Sequence, residues 1–289
     1  LVEGRLVQIA AQYTSEPVRV VVLPTMLMIQ VGTVGYGVDG STHSSLQLDM
    51  AGRIDDIASL AAVGAITPAD AIAAIEAART LRPRFGPVAT TVGYAVTTVG
   101  FGMVINPTWA SLPGYLFLGL VVGAIVQLGR PFPGLNPMLP TLSATIVTIL
   151  ATLFVADTAN DGLLRVIAPP LVAAPPGMAL TIGAMELAAS QIISGASRLV
   201  YGMAQLALLV FGVALGVQVA GVVYPQTPSA QMGAWSLYVA IVVVGIGLYV
   251  YLSAPRGSLM WLIAAIAVAL VGQELAGKVM SASHSGLVG

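Results

Sequence analysis

The sequence predicts a polytopic, mainly α-helical membrane protein with inverted five-helix repeats, about seven of ten elements being present, behind a small N-terminal α+β domain. Three observations carry this prediction. Hydrophobic residues make up 57% of the chain and charged residues 8%, far below the roughly 25% charged of soluble domains. The charges are also segregated, with eight of the twelve acids and six of the eleven basic residues falling in residues 1–86. Finally, Ala95–Met103 (AVTTVGFGM) returns at an offset of 145 as Ala240–Leu248 (AIVVVGIGL).

The N-terminal domain is read as residues 1–86. Leu1–Tyr13 has the pattern of an amphipathic helix, and Val18–Leu23 and Met26–Val31 form a hairpin hinged at Pro24-Thr25. The run GYGVDGS reads as a glycine-rich turn leading to a third strand over Leu46–Met50. Helices are expected over Ile54–Val63 and Pro68–Thr80, where Thr67-Pro68 sets a cap before an N1 proline. Both ends of the chain read as cut, so the sequence is expected to be a fragment lacking its true start and its last helices.

From Pro87 onward, apolar runs predict helices at 87–105, 112–128 and 138–156, a broken element over 162–191, then 196–221, 233–253 and 258–276. The first five-helix repeat is taken as 87–221 and the start of the second as 222–289. Arg79, Arg82 and Arg84 stand just before the first of these helices. The positive-inside bias places them, and the N-terminal domain, on the cytoplasmic side of a plasma or inner membrane. An odd number of spanning elements between the two copies reverses their orientation. Transporters built that way hold their sites near the midplane, on discontinuous helices.

The break is written in Pro169–Arg198. Two proline pairs, Pro169-Pro170 and Pro175-Pro176, followed by Gly177, forbid a continuous helix there. Glu186 follows among apolar and small neighbours, and Arg198 lies twelve residues further on. An ionisable group at membrane depth marks a functional site by default. Glu186 is therefore the expected proton carrier, the competing readings being a membrane-surface glutamate on an amphipathic helix or a structural partner of Arg198. If Ala179–Gln191 is helical, Glu186 shares a face with Ile182, Gly183 and Ser190. Pro175, Pro176 and Gly177 are expected to expose a helix N-terminus suited to a substrate carboxylate, or else to form a surface loop. Thr181, Ser190 and Ser194 are candidate hydrogen-bonding groups for a polar substrate, or partners for neighbouring helices. Arg198 is either a substrate anchor or, by preference, a positive-inside charge.

Over Pro175–Leu199 the chain resembles the ThrE-type threonine/serine exporter family, in a proline-glycine turn (Pro176-Gly177), an acidic residue in a short helix (Glu186) and an SG…RL segment (Ser194-Gly195, Arg198-Leu199). Ile182 stands where the family often has Asn, and Ser190-Gln191 where it has Gly-Asp. The resemblance implies a secondary-active antiporter that exports threonine and serine against protons and sits in the lipid bilayer; no cofactor or metal is expected. A homo-oligomer is compatible with it. The net charge of −1 excludes a basic surface for nucleic acid. Two other classes stay open: a membrane-anchored hydrolase using Ser41, His43 and Asp49 of the N-terminal domain, and a channel or structural membrane subunit.

Overall fold

The computed structural model describes residues 2–22, 26–39, 47–135, 137–155, 162–221 and 230–285. Ser41, His43, Ser44, Ser45, Asp157 and Asp161 lie outside the described residues. The chain divides into two compact units. One comprises Leu1–Arg84, Arg130–Thr141 and Ala173–Phe211; the other comprises Phe85–Gly129, Leu142–Val172 and Gly212–Gly289.

In the first unit, α1 (Val2–Tyr13) precedes a three-stranded antiparallel sheet, β1 (Val18–Val22), β2 (Met26–Val31) and β3 (Val34–Asp39), in the order β1-β2-β3. The expected hairpin is there, with Val22 opposite Leu27. The third strand is not where the sequence placed it. GYGVD is strand β3, and Leu48–Met50 opens helix α2 (Leu48–Ala62) instead. Gly35 and Gly37 had read as turn signals, but Val34, Tyr36 and Val38 alternate with them, at the period of a strand. A two-residue turn, Gly32-Thr33, joins β2 to β3.

Helix α3 (Pro68–Arg79) starts as expected: the Thr67 hydroxyl accepts from the Asp70 backbone N–H at 3.2 Å, and Pro68 occupies the first turn. Arg5 of α1 ties to Asp55 of α2 at 2.6 Å, and the Tyr13 hydroxyl donates to the Ile66 carbonyl at 2.6 Å. These contacts fix α1 against the helices that follow the sheet.

The second unit contains α4 (Pro87–Ile105), α5 (Leu112–Gly129), α6 (Leu139–Leu150) from Leu142 onward, with its π-helical continuation Ala151–Val155, and α7 (Leu163–Leu171). The end of α9 (Ile192–Ala220), α10 (Trp235–Tyr251) and α11 (Leu259–Ser285) complete it. Among the described residues, α4, α5 and α9 are long and apolar enough to cross a membrane. With the shorter apolar helices, they make a mainly helical membrane protein with a small sheet.

Helices α4 and α10 pack antiparallel at backbone distance. A Cβ on Gly93 would lie 2.8 Å from the Tyr251 nitrogen, and one on Gly100 would lie 2.9 Å from the Val244 nitrogen. A Cβ on Gly247 would collide with Thr97. Such close approach is the small-residue packing that helices use where no hydrophobic force separates lipid from neighbour. The buried hydroxyls of Thr97 and Thr98 donate to the carbonyls of Gly93 and Tyr94 in the preceding turn, which leaves no polar cost at the interface. Tyr94 stacks edge-on with Tyr251 at 5.0 Å and donates its hydroxyl to the Pro170 carbonyl at 2.8 Å, anchoring the end of α7.

Candidate substrate and proton site

The site is built on the hairpin of α8 (Gly177–Ala188) and α9. A turn at 172–176 separates α7 from α8, as expected where two prolines precede a glycine. Helix α8 then ends in a Schellman motif. The Gln191 N–H bonds the Glu186 carbonyl at 2.8 Å and the Ser190 N–H bonds the Leu187 carbonyl at 3.0 Å, with Ser190 left-handed at φ 62°. The chain restarts at once as α9, four residues earlier than the apolar pattern indicated.

Two glycines let the helices touch. A Cβ on Gly195 would lie 2.7 Å from the Gly183 carbonyl oxygen, and a Cβ on Gly183 would lie 3.0 Å from the Gly195 carbonyl oxygen. That contact carries Glu186 to α9. Ser194 and Arg198 are four apart, so they share one face of the first two turns of α9. The Ser194 hydroxyl donates to Glu186 Oε2 at 2.7 Å, and Arg198 Nε donates to Oε2 at 3.0 Å and Oε1 at 3.2 Å. The Glu186 side chain is 16% exposed and that of Arg198 34%. Among the described residues the terminal guanidinium nitrogens of Arg198 carry no hydrogen bond. The carboxylate is thus held by two donors, while the guanidinium keeps its fork for another acceptor.

Glu186 and Arg198 line a cleft of about 360 Å³, together with Ile182, Met185, Gln191 and, from the N-terminal part of the same unit, Glu3 and Val22. The size falls in the range of ~300–1,000 Å³ typical of small-ligand sites. It offers a cation, two carboxylates and an amide, the complement of a zwitterion. Beyond Arg198, α9 runs uncharged from Leu199 to Ala220, about 33 Å at 1.5 Å per residue. That is enough for a hydrocarbon core of about 30 Å, so the cleft stands at the end of this run rather than halfway along it.

Of the residues singled out in the sequence, Glu186, Ser194 and Arg198 come together. Pro175, Pro176 and Gly177 lie at the far end of α8, roughly 13 Å from Glu186 along the helix axis. Pro176 there faces Gly202 of α9. Thr181 is exposed on α8 and outside the cleft. Ser190 is not on the α8 face of Glu186, because the helix stops at Ala188 and Ser190 forms the cap. Glu3 was not singled out, and Gln191 was noted only as a departure from the Gly-Asp pattern. No local signal marks Glu3, which is 188 residues from its partner Gln191. Asp49 of the hydrolase reading accepts a bond from the Met50 N–H in the first turn of α2.

No curated protein and no solved structure gives a significant match to the chain. The family described as "ThrE: Putative threonine/serine exporter" matches residues 1–220, which takes in the N-terminal domain and the whole α8–α9 hairpin. The chain belongs to the ThrE family of threonine/serine exporters.

Proposed function

We propose that the protein is a secondary-active exporter of threonine and serine, in which proton entry drives efflux by exchange at Glu186. The observation that carries this reading is the pairing of a largely buried carboxylate with Ser194 and Arg198, beside a mostly apolar cleft on a hairpin of broken helices. Antiport requires that proton and substrate exclude one another at one site. An ionised Glu186 accepts the substrate ammonium, and a protonated Glu186 has lost the charge that holds it. The free fork of Arg198 takes the substrate carboxylate in either case. Each cycle then moves a net neutral amino acid out and a proton in.

Alternating access is the conformational half of this proposal, with two inverted repeats rocking about a shared axis. Supporting it, the offset of 145 equates Val99 and Gly100 with Val244 and Gly245. Gly100 packs against Val244 where α4 and α10 cross antiparallel. A two-fold axis between inverted copies would pass through such a crossing of equivalent residues. The run of Arg79, Arg82 and Arg84 before α4 favours a cytoplasmic N-terminal domain in a plasma or inner membrane, so that the cleft would open inward. Reconstituted full-length protein should accumulate labelled threonine against its gradient only when a pH gradient is imposed. Flux that equilibrates threonine without regard to pH would replace the exporter by a channel.

A further inference from the structure

The cleft holds more negative charge than its own helices account for. Glu186 is engaged by Ser194 and Arg198, so one guanidinium neutralises one carboxylate. The second carboxylate, Glu3, comes from the first turn of α1. Among the described residues it forms no ion pair. Among those residues its carboxylate meets a neutral amide, the Gln191 Nε2 donating to Glu3 Oε2 at 3.3 Å. Gln191 is also the residue that closes the Schellman turn onto the Glu186 carbonyl. The turn that positions Glu186 therefore also holds Glu3.

From this geometry we infer that Glu3 is a substrate-binding residue: α1 supplies the second carboxylate for the substrate ammonium, making the N-terminal domain a wall of the transport site. The inference rests on the exporter reading above. Glu186 holds the ammonium only while it is ionised, and a second carboxylate beside it strengthens that binding without replacing it. Among the described residues the Glu3 carboxylate has no cation of its own, so it is available to the one that the substrate brings. The Gln191 amide keeps Glu3 oriented while the cleft is empty and releases it when an ammonium offers a stronger bond. A zwitterion placed with its carboxylate on Arg198 and its ammonium toward Glu3 leaves its side chain toward Ile182 and Met185. That wall suits a short side chain carrying a methyl group.

The test uses full-length protein in proteoliposomes under a fixed pH gradient, comparing wild type with Glu3→Gln. Two constants are read: the KM for threonine, and the inhibition constant of the analogue in which a hydroxyl replaces the ammonium. The expected result is a KM raised about tenfold or more, the loss of one charge-assisted contact, with the maximal rate little changed and the analogue's constant unmoved. An unchanged KM overturns the inference and leaves the exporter standing. A parallel rise in both constants also overturns it, because a residue that only props α1 in place would weaken every ligand alike. Absence of threonine flux in the wild type would overturn the exporter reading itself and this inference with it.

Discussion

Gly195→Ala is a one-carbon change, and the structure says where that carbon goes. The new Cβ would stand 2.7 Å from the Gly183 carbonyl oxygen, 2.8 Å from the Leu187 nitrogen and 2.8 Å from Leu187 Cγ, against ordinary contacts of 3.4 Å or more. Two of those three atoms are backbone, so no rotamer relieves them. Helix α8 must retreat from α9 by about 0.7 Å, the difference between the oxygen contact and an ordinary one. The same retreat would stretch the Ser194–Glu186 bond from 2.7 Å and the Arg198–Glu186 bond from 3.0 Å past the usual hydrogen-bond range. Overpacking of this kind costs about 1–3 kcal/mol, and a lost bond to a charged group about 1.5–3 kcal/mol. Gly195→Ala should therefore lower the melting temperature by several degrees and cut proton-driven threonine flux by about tenfold or more. Gly134→Ala is the control, since its Cβ would meet nothing within 4 Å. Both are measurable by tryptophan-fluorescence melting and proteoliposome transport. A Gly195→Ala protein that melts and transports like wild type would refute the claim that helix contact at Gly183 and Gly195 assembles the site.

Further outcomes follow from the same contacts. Ser190→Gly should stabilise the protein by roughly 1 kcal/mol, because the left-handed cap penalises a side chain, and should leave transport intact; a lower melting temperature would contradict the cap assignment. Arg198→Lys should keep a charge near Glu186 yet lose the fork, raising the KM for threonine by about tenfold; an unchanged KM would place the substrate carboxylate elsewhere. Tyr94→Phe removes the bond to the Pro170 carbonyl and should cost about 1 kcal/mol in thermal unfolding, while Gly247→Ala, forced onto Thr97, should cost more.

Much of this architecture was legible because long uncharged runs bounded by proline or charge have few alternatives. Pro87–Ile105 emerged with both ends in place. What was missed turns on features that sequence period does not encode. Strand β3 was hidden by Gly35 and Gly37, which mark turns more often than they alternate with apolar residues in an edge strand. The early start of α9 was hidden by Ser190, a left-handed residue where glycine is the usual signal. That cap moved Ser194 from before the helix into its first turn, and so decided which hydroxyl meets Glu186. Glu3 was invisible for a different reason: its place in the cleft depends on how α1 packs against a hairpin nearly two hundred residues away, which no local pattern records.

In the proposed cycle Glu186 exchanges a proton for the substrate. The most direct measurement compares wild type and Glu186→Gln in two modes: threonine flux driven by a pH gradient, and exchange of labelled for unlabelled threonine with no gradient. The amide cannot take up and release a proton but can still accept a hydrogen bond from the substrate. Gradient-driven accumulation should disappear in the variant while a weakened exchange survives. Accumulation that persists in Glu186→Gln would contradict that cycle and move the proton to another group.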